Sequence, residues 1–206
     1  MGGLIRARAA PRWRAGFACA AVAAALAAGT APGAEAVTVE THRVGEAIAV
    51  HARAMLYTDR EVLWSTLTDY DRLAEFIPGF HESRVLERHG DTAIVRQRGE
   101  IRVLFLSFPI DVVLASTERP PWEIGVQALS GTLKRLDGGY RMEPLAAGAR
   151  RGFILHWTGI VEPEAGLPPL FGEVLVRSSI EDQFLGMVRE IERRARAVRA
   201  PDGALR

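Results

Sequence analysis

One compact helical block, Tyr57 to Glu82 (YTDREVLWSTLTDYDRLAEFIPGFHE), interrupts a chain that otherwise reads as antiparallel strands until its last long helix. Thr58-Asp59-Arg60-Glu61 matches the capping-box pattern, with Thr58 at the N-cap and Glu61 three residues on. Val62, Leu63, Thr66, Leu67 and Tyr70 follow at helical spacing, which predicts a helix of about three turns. Asp71 is expected to cap a second, shorter piece through Leu73 and Phe76. Ile77-Pro78-Gly79 ends it, because the residue before a proline is pushed out of the helical region. Capping and turn formation account for Asp69-Tyr70-Asp71, so this triplet is read as structural.

Around the block, the pattern has a period of two. VTVETHR and AIAVHARAMLY are separated by Gly45-Glu46, a pair suited to a hairpin turn. Ile48, Val50, Ala52, Ala54 and Leu56 share one face of the second run, with His51, Arg53 and Met55 on the other. After the block come SRVLERH, TAIVRQRGE, RVLFLSFPIDVVLASTE, WEIGVQALS, GTLKRLD, GYRMEPL and RRGFILHWTGIVEP. Gly90-Asp91, Arg119-Pro120-Pro121, Ser130-Gly131, Asp137-Gly138-Gly139 and Ala147-Gly148 punctuate them as turns. Pro109 predicts an edge, a bulge or a break in its run.

Leu167-Pro168-Pro169 opens the last element, since proline is tolerated in a first helical turn. Leu170, Val174, Glu181, Leu185, Val188, Ile191, Ala195 and Val198 recur at three-to-four-residue steps, predicting an amphipathic helix. Its basic end (Arg189, Arg193, Arg194, Arg196 and Arg199) suits the negative pole of the helix dipole. A solvated helix end is preferred there over transient contact with an anionic membrane. A sheet with only one long helix must curl around it, giving an α+β domain with an interior space. Such a space is a natural ligand site.

The N-terminal residues read as an export signal. Arg6, Arg8, Arg12 and Arg14 precede the apolar run Gly16–Gly29, and Ala34-Glu35-Ala36 supplies a cleavage site before Val37. The expected organisation is therefore a signal over 1–36, a ligand-binding domain over 37–200 and a tail over 201–206, with a periplasmic or secreted location. Residues 1–36 hold four Arg and one Glu of the chain's 26 basic and 25 acidic residues, leaving 22 and 24, a net charge of −2. That balance gives no electrostatic footprint for nucleic acid. The single cysteine, Cys19, lies inside the apolar run, so the mature chain has no thiol chemistry. A monomer is expected.

The residues LTDYDRLAEFIPGF, SRVLERHGDTAIVRQRG, LFLSFPIDVVL, the Glu118-Arg119-Pro120-Pro121 turn and the GTLKRLDGGYRMEP block resemble the START-like (SRPBCC) superfamily. Within it they are most similar to the polyketide cyclase/dehydrase and coenzyme-Q-binding branch of exported bacterial type. The ending LPPLFGEVLVRSSIEDQFLGMVREIERRA is similar to that branch's C-terminal helix. The resemblance implies a helix-grip fold, a curved antiparallel sheet around the long helix with a hydrophobic cavity between them. It does not imply a reaction.

No HExxH, GxSxG, glycine-rich phosphate loop or paired His/Cys spacing occurs in the sequence, so no catalytic residue, metal or cofactor is assigned. The expected ligand is a hydrophobic small molecule: a lipid, quinone or isoprenoid-like compound. The candidate contacts are Phe76, Phe80, Gln97, Phe105, Phe108, Trp122, His156, Phe171 and Phe184. The aromatics suit an apolar tail or ring, and Gln97 is a polar group in an apolar run that awaits a partner. Asp111 is a weaker case of the same kind. Phe76, Pro78 and Phe80 lie on a Pro-Gly segment of the sort that builds lids. His156 sits in an apolar strand, on a face with Ile154, Thr158 and Ile160, and reads as a general base or cavity polar group, or else as a hydrogen-bonded structural or solvent-facing histidine. The alternative function is a cyclase or dehydratase acting on a polyketide-like or aromatic substrate, since a shaped cavity with one or two polar groups suffices for such reactions.

Overall fold

Period-two alternation carries most of the chain into one eight-stranded antiparallel sheet. The computed structural model describes residues 35–103, 106–146, 151–163 and 172–200. The strands are β1 (Glu35–Val44), β2 (Ala47–Leu56), β3 (Phe80–His89), β4 (Thr92–Val103), β5 (Leu106–Arg119), β6 (Glu123–Gly131), β7 (Leu133–Pro144) and β8 (Phe153–Pro163). Between β2 and β3 lie α1 (Arg60–Leu67), a 3₁₀ turn (Tyr70–Arg72) and α2 (Leu73–Phe76), and α3 (Gly172–Arg199) closes the described chain. The sheet order is β1-β2-β8-β7-β6-β5-β4-β3, so the helical block carries the chain from near one edge to the other. This is the helix-grip architecture: one curved antiparallel sheet and one long C-terminal helix.

The core lies between the sheet's inner face and α3. Ile48, Val50, Ala52, Ala54 and Leu56 of β2 are buried, as the alternation predicts, with Leu155, Trp157 and Val161 of β8 beside them. On α3 the buried stripe is Leu175, Val176, Phe184, Met187, Val188, Ile191 and Ala195. Val174 and Val198, expected on that stripe, are exposed, because the real stripe is rotated toward Leu175 and Val176.

Several local expectations change. Asp59, not Thr58, is the N-cap of α1, and neither end of the expected box makes a side-chain capping bond. Thr58 is buried instead. Asp71 does not cap α2; its carboxylate accepts the backbone N–H of Val85 on β3 at 2.8 Å. The run from Arg102 to Glu118 belongs to two strands, β4 ending at Val103 and β5 starting at Leu106, paired antiparallel with each other. GTLKRLD and GYRMEPL are one strand, β7, because Gly138 and Gly139 mark close approach of neighbours rather than a turn. A Cβ on Gly138 would lie 2.4 Å from the Thr158 carbonyl oxygen, and one on Gly139 would lie 2.2 Å from that of Ile124. Pro109 pairs with Glu100 on β4, whereas β6 pairs with β5 only from Val112 onward, so the proline borders a locally free edge.

The Pro-Gly segment after α2 is seated on both sides. Gly79 adopts φ +83°, and its carbonyl accepts the N–H of Glu100 at 2.8 Å. On the other side, a Cβ at Gly186 of α3 would fall 2.5 Å from Pro78 Cδ and 2.6 Å from the Phe76 carbonyl oxygen. The segment is a wall pinned between β4 and α3. Helix propensity alone would make Gly186→Ala stabilising by about 1 kcal/mol. The clash with backbone is expected to reverse that sign, for a net loss of about 1–3 kcal/mol, read from thermal unfolding of the variant against wild type. A stabilised Gly186→Ala protein would mean the segment is not seated there.

Charge pins the same region. Glu190 on α3 is buried, and accepts hydrogen bonds from Arg193 at 2.7 Å and from Arg194 at 2.7 Å. Arg194 also donates to Asp69 at 2.7 Å and lies over the Phe76 ring, 5.5 Å from its centroid. Arg193 first, then Arg194, hold the Glu190 carboxyl at about 2, well below its ordinary value. A depressed carboxylate contributes stability that is present above its unfolded pKa and lost as pH falls through the folded one. Glu190→Gln is therefore expected to cost about 1.5–3 kcal/mol near neutrality. The difference from wild type should shrink as pH falls from about 4.5 toward the folded value of about 2, which melting curves across that range will check.

Candidate functional site

The inner faces of β4, β5 and β7 and the first half of α3 do not meet. Between them lies a cavity of about 310 Å³, lined on the strand side by residues that include Ile101, Phe108, Ile110, Val112 and Leu114. Leu175, Val176, Ser179, Ile180 and Gln183 line it from α3. A second, inner compartment of about 110 Å³ runs under the helical block, where Tyr70, Leu73, Ile77, Ser116, Tyr140, Phe184 and Met187 face it. Phe80, Gln97, Leu114, Leu136, Ile180 and Gln183 border both, so the two compartments share a neck. Along α3, Ser179 faces the outer compartment, Ile180 and Gln183 face both, and Phe184 and Met187 face the inner one.

No aspartate, glutamate, lysine, arginine or histidine is among the described lining residues of either compartment. The polar groups are hydroxyls and amides: Tyr70, Gln97, Ser116, Thr132, Tyr140, Ser179 and Gln183. Gln183 donates to the Ser179 hydroxyl at 2.9 Å. The Tyr70 hydroxyl is buried without a hydrogen-bond partner. Burial, and then the Glu118 carboxylate, push its pKa above the ordinary tyrosine value. Burial alone pushes Tyr140 up to about 12. Both phenols are therefore hydrogen-bond donors at any physiological pH.

Four of the nine candidate contacts, Phe80, Gln97, Phe108 and Phe184, come together around this space. Phe105 and Phe171 lie outside the described residues. Phe76 is half-buried beneath Arg194 and is not part of the lining. Trp122 is on the surface, tilted against Phe153 at 6.4 Å with the Arg60 guanidinium 5.9 Å from its ring centroid, and borders a different, polar hollow. His156 is on the outer face of the sheet. Its Nδ1 is 3.2 Å from His51 Nε2, and Glu143 is 3.6 Å from its Nε2. Burial, then His51, lower its pKa below the ordinary histidine value. Asp111 also faces outward and pairs with Arg96 at 2.7 Å, which holds its carboxyl below the usual range.

Sequence reasoning missed Tyr70, Ser116, Tyr140 and Gln183. A signal existed for two of them: Gln183 interrupts the apolar stripe of α3, and Ser116 continues the inward alternation Val112, Leu114, Ser116. Among the described residues no cluster of three or more His, Cys, Asp or Glu is placed to hold a metal ion.

Residues 58–183 match the family model described as polyketide cyclase/dehydrase and lipid transport. The chain belongs to that family. The matched span runs from the start of the helical block to Gln183, so it takes in the strands and the part of α3 that line the cavity. No curated protein matches the chain in sequence. Among solved structures, the STAR-related lipid transfer protein fragment from Xanthomonas axonopodis superposes with a TM-score of 0.63 at 13% identity, over 79% of this chain and 97% of that one. The Zhui aromatase/cyclase from Streptomyces sp. R1128 gives 0.62 at 15% identity, over 77% and 99%. A START superfamily protein from Mycobacterium smegmatis gives 0.54 at 15%, over 73% and 98%. At such identities the likeness is one of fold, and the fold is START-like. Family membership supports hydrophobic ligand binding or polyketide cyclase/dehydrase chemistry in this cavity.

Placing bulk at the neck tests whether the two compartments act as one site. Ile180→Trp is expected to cut uptake of an apolar fluorophore by about tenfold, for an overpacking cost of about 1–3 kcal/mol, with the far-UV circular dichroism spectrum unchanged. Full uptake by that variant would place the bound probe elsewhere.

Proposed function

We propose that the protein binds and carries a hydrophobic small molecule, lipid-, quinone- or isoprenoid-like, in the cavity between the sheet and α3. The observation that carries this reading is the uncharged lining of a cavity whose volume falls in the range of small-molecule sites. Apolar surface confined with a few hydroxyl and amide groups favours a ligand that is mostly hydrocarbon and carries little polarity. The lining also bears on turnover. Proton-transfer catalysis works best with a group whose pKa lies near the operating pH. The titratable groups among the described lining residues are two tyrosines, both pushed upward. Such groups hold a ligand oxygen more readily than they shuttle its protons. The N-terminal signal pattern supports a role outside the cytoplasm. Cleavage before Val37 would remove the end of β1 ahead of its register irregularity between Glu35 and Thr38, leaving the rest of the β1–β2 ladder intact.

The full chain, expressed in a bacterium and purified without detergent, is expected to yield an apolar molecule on solvent extraction and to show its mass in native mass spectrometry. The intact mass of envelope-fraction protein should correspond to a chain starting at Val37. A protein that is purified empty, and after extraction takes up no apolar probe, would overturn the binding reading.

A further inference from the structure

We infer that the neck between the two compartments reads a hydroxyl group. Gln97 of β4 and Gln183 of α3 hold it from opposite walls, and the ligand's hydrocarbon extends from it into both compartments. The inference rests on the reading of the cavity as a binding site and adds to it the chemical class and placement of the occupant.

Gln97 interrupts an apolar row. Ala93 and Val95 precede it on the inward face of β4 and are buried, and Val112, its cross-strand partner on β5, is buried too. The Gln97 side chain is half-buried and borders both compartments. Among the described residues its amide has no hydrogen-bond partner. The protein seals the Tyr70 hydroxyl away, whereas the Gln97 amide keeps surface open to the cavity. Polar groups in an apolar wall need partners, and here the partner comes from the occupant.

Gln183 borders both compartments from the helix side, and its orientation is fixed. Its Nε2 donates to the Ser179 hydroxyl one turn earlier at 2.9 Å, which leaves its Oε1 without a partner. Gln97, unpaired, is free to present its NH₂. One wall therefore offers an acceptor and the other a donor. A hydroxyl uses both at once, donating to Gln183 Oε1 and accepting from Gln97 Nε2. A carbonyl or an ether uses the donor alone and leaves the Gln183 oxygen unpaired, which costs affinity. Thr132, also on the lining, is already engaged, since its hydroxyl accepts the Asp111 N–H at 3.2 Å. The other residues bordering both compartments, Phe80, Leu114, Leu136 and Ile180, are apolar, so the neck is polar only at the two amides. The inner compartment holds about 110 Å³ against about 310 Å³ outside. The occupant is therefore a lipid-like alcohol whose hydroxyl lies within the hydrocarbon frame, nearer one end, rather than at its tip.

The test is a matched series on the delipidated full chain, measured by displacement of an apolar fluorophore: decan-4-ol, decan-1-ol, decan-4-one and decane. Decan-4-ol is expected to bind about fivefold more tightly than decan-4-one, the worth of one net hydrogen bond. It should beat its isomer decan-1-ol by a similar factor, because a terminal hydroxyl at the neck leaves one compartment empty. Gln183→Met should weaken decan-4-ol about fivefold and leave decan-4-one unchanged. Gln97→Met should weaken both, and neither substitution should alter decane. Gln97→Met should also melt at or above the wild-type temperature, since no protein group loses a partner; Gln97→Leu carries the same expectation if the methionine fails to pack. Decan-1-ol binding as tightly as decan-4-ol, or a decan-4-ol affinity untouched by both substitutions, would overturn the inference. If the series binds without regard to hydroxyl position or to either glutamine, only this inference falls. If no member binds, decane included, the binding reading falls with it.

Discussion

Where α3 lies decides what the protein encloses, and one buried carboxylate on it ties the helix to the helical block. Glu190 gathers Arg193 and Arg194, and Arg194 reaches across to Asp69 and covers Phe76. Removing one partner of such a network is costly because it leaves a buried charge uncompensated. The placement of these ion pairs matters as much as their strength. They fix the C-terminal half of the helix against the helical block, where Phe184, Met187 and Ile191 are buried. At its other end Thr41 of β1 donates to Glu173 at 3.1 Å, and the gap lies where the first half of α3 faces β4, β5 and β7. Ser179, Ile180 and Gln183 face that gap from the helix.

The seating of the Pro78-Gly79 segment follows from the same arrangement. Gly186 lets α3 touch that segment, and the contact of Gly99 with Gly79 lets β4 touch it from the other side. The inner compartment is therefore bounded by fixed backbone, with Tyr70 and Ile77 on its wall. A chamber bounded by fixed backbone is a pre-organised site, and pre-organisation lowers the cost of binding.

Much of this was legible in the sequence, and the failures share a cause. Alternation in β2 marks its buried face because every inward residue there is apolar. On β8 the pattern presents two apolar faces: Phe153, Leu155, Trp157 and Val161 against Ile154, His156 and Ile160. Period two separates the faces but does not say which one the helix covers, so His156 was grouped with the cavity though it sits outside with His51. Trp122 misled likewise, since an aromatic at a hairpin packs locally on Phe153. Tyr70 was concealed by its neighbours, whose charges were assigned to capping. Asp69 instead binds Arg194 and Asp71 binds the β3 backbone, long-range contacts that no local rule anticipates. Phe80, Gln97, Phe108 and Phe184 were found because an apolar or lone polar residue in a strongly patterned run has few places to point.

The central claim is that the apolar molecule resides under α3, between the sheet and the first half of that helix. Photolabelling places it most directly. A hydrocarbon-chain diazirine is incubated with the full chain and irradiated, and the modified residues are mapped by peptide mass spectrometry. The account predicts adducts on Leu114, Leu136, Ile180 and Val176, all cavity-facing. Adducts confined to the outer sheet face, or to the hollow beside Trp122 and Arg60, would contradict it.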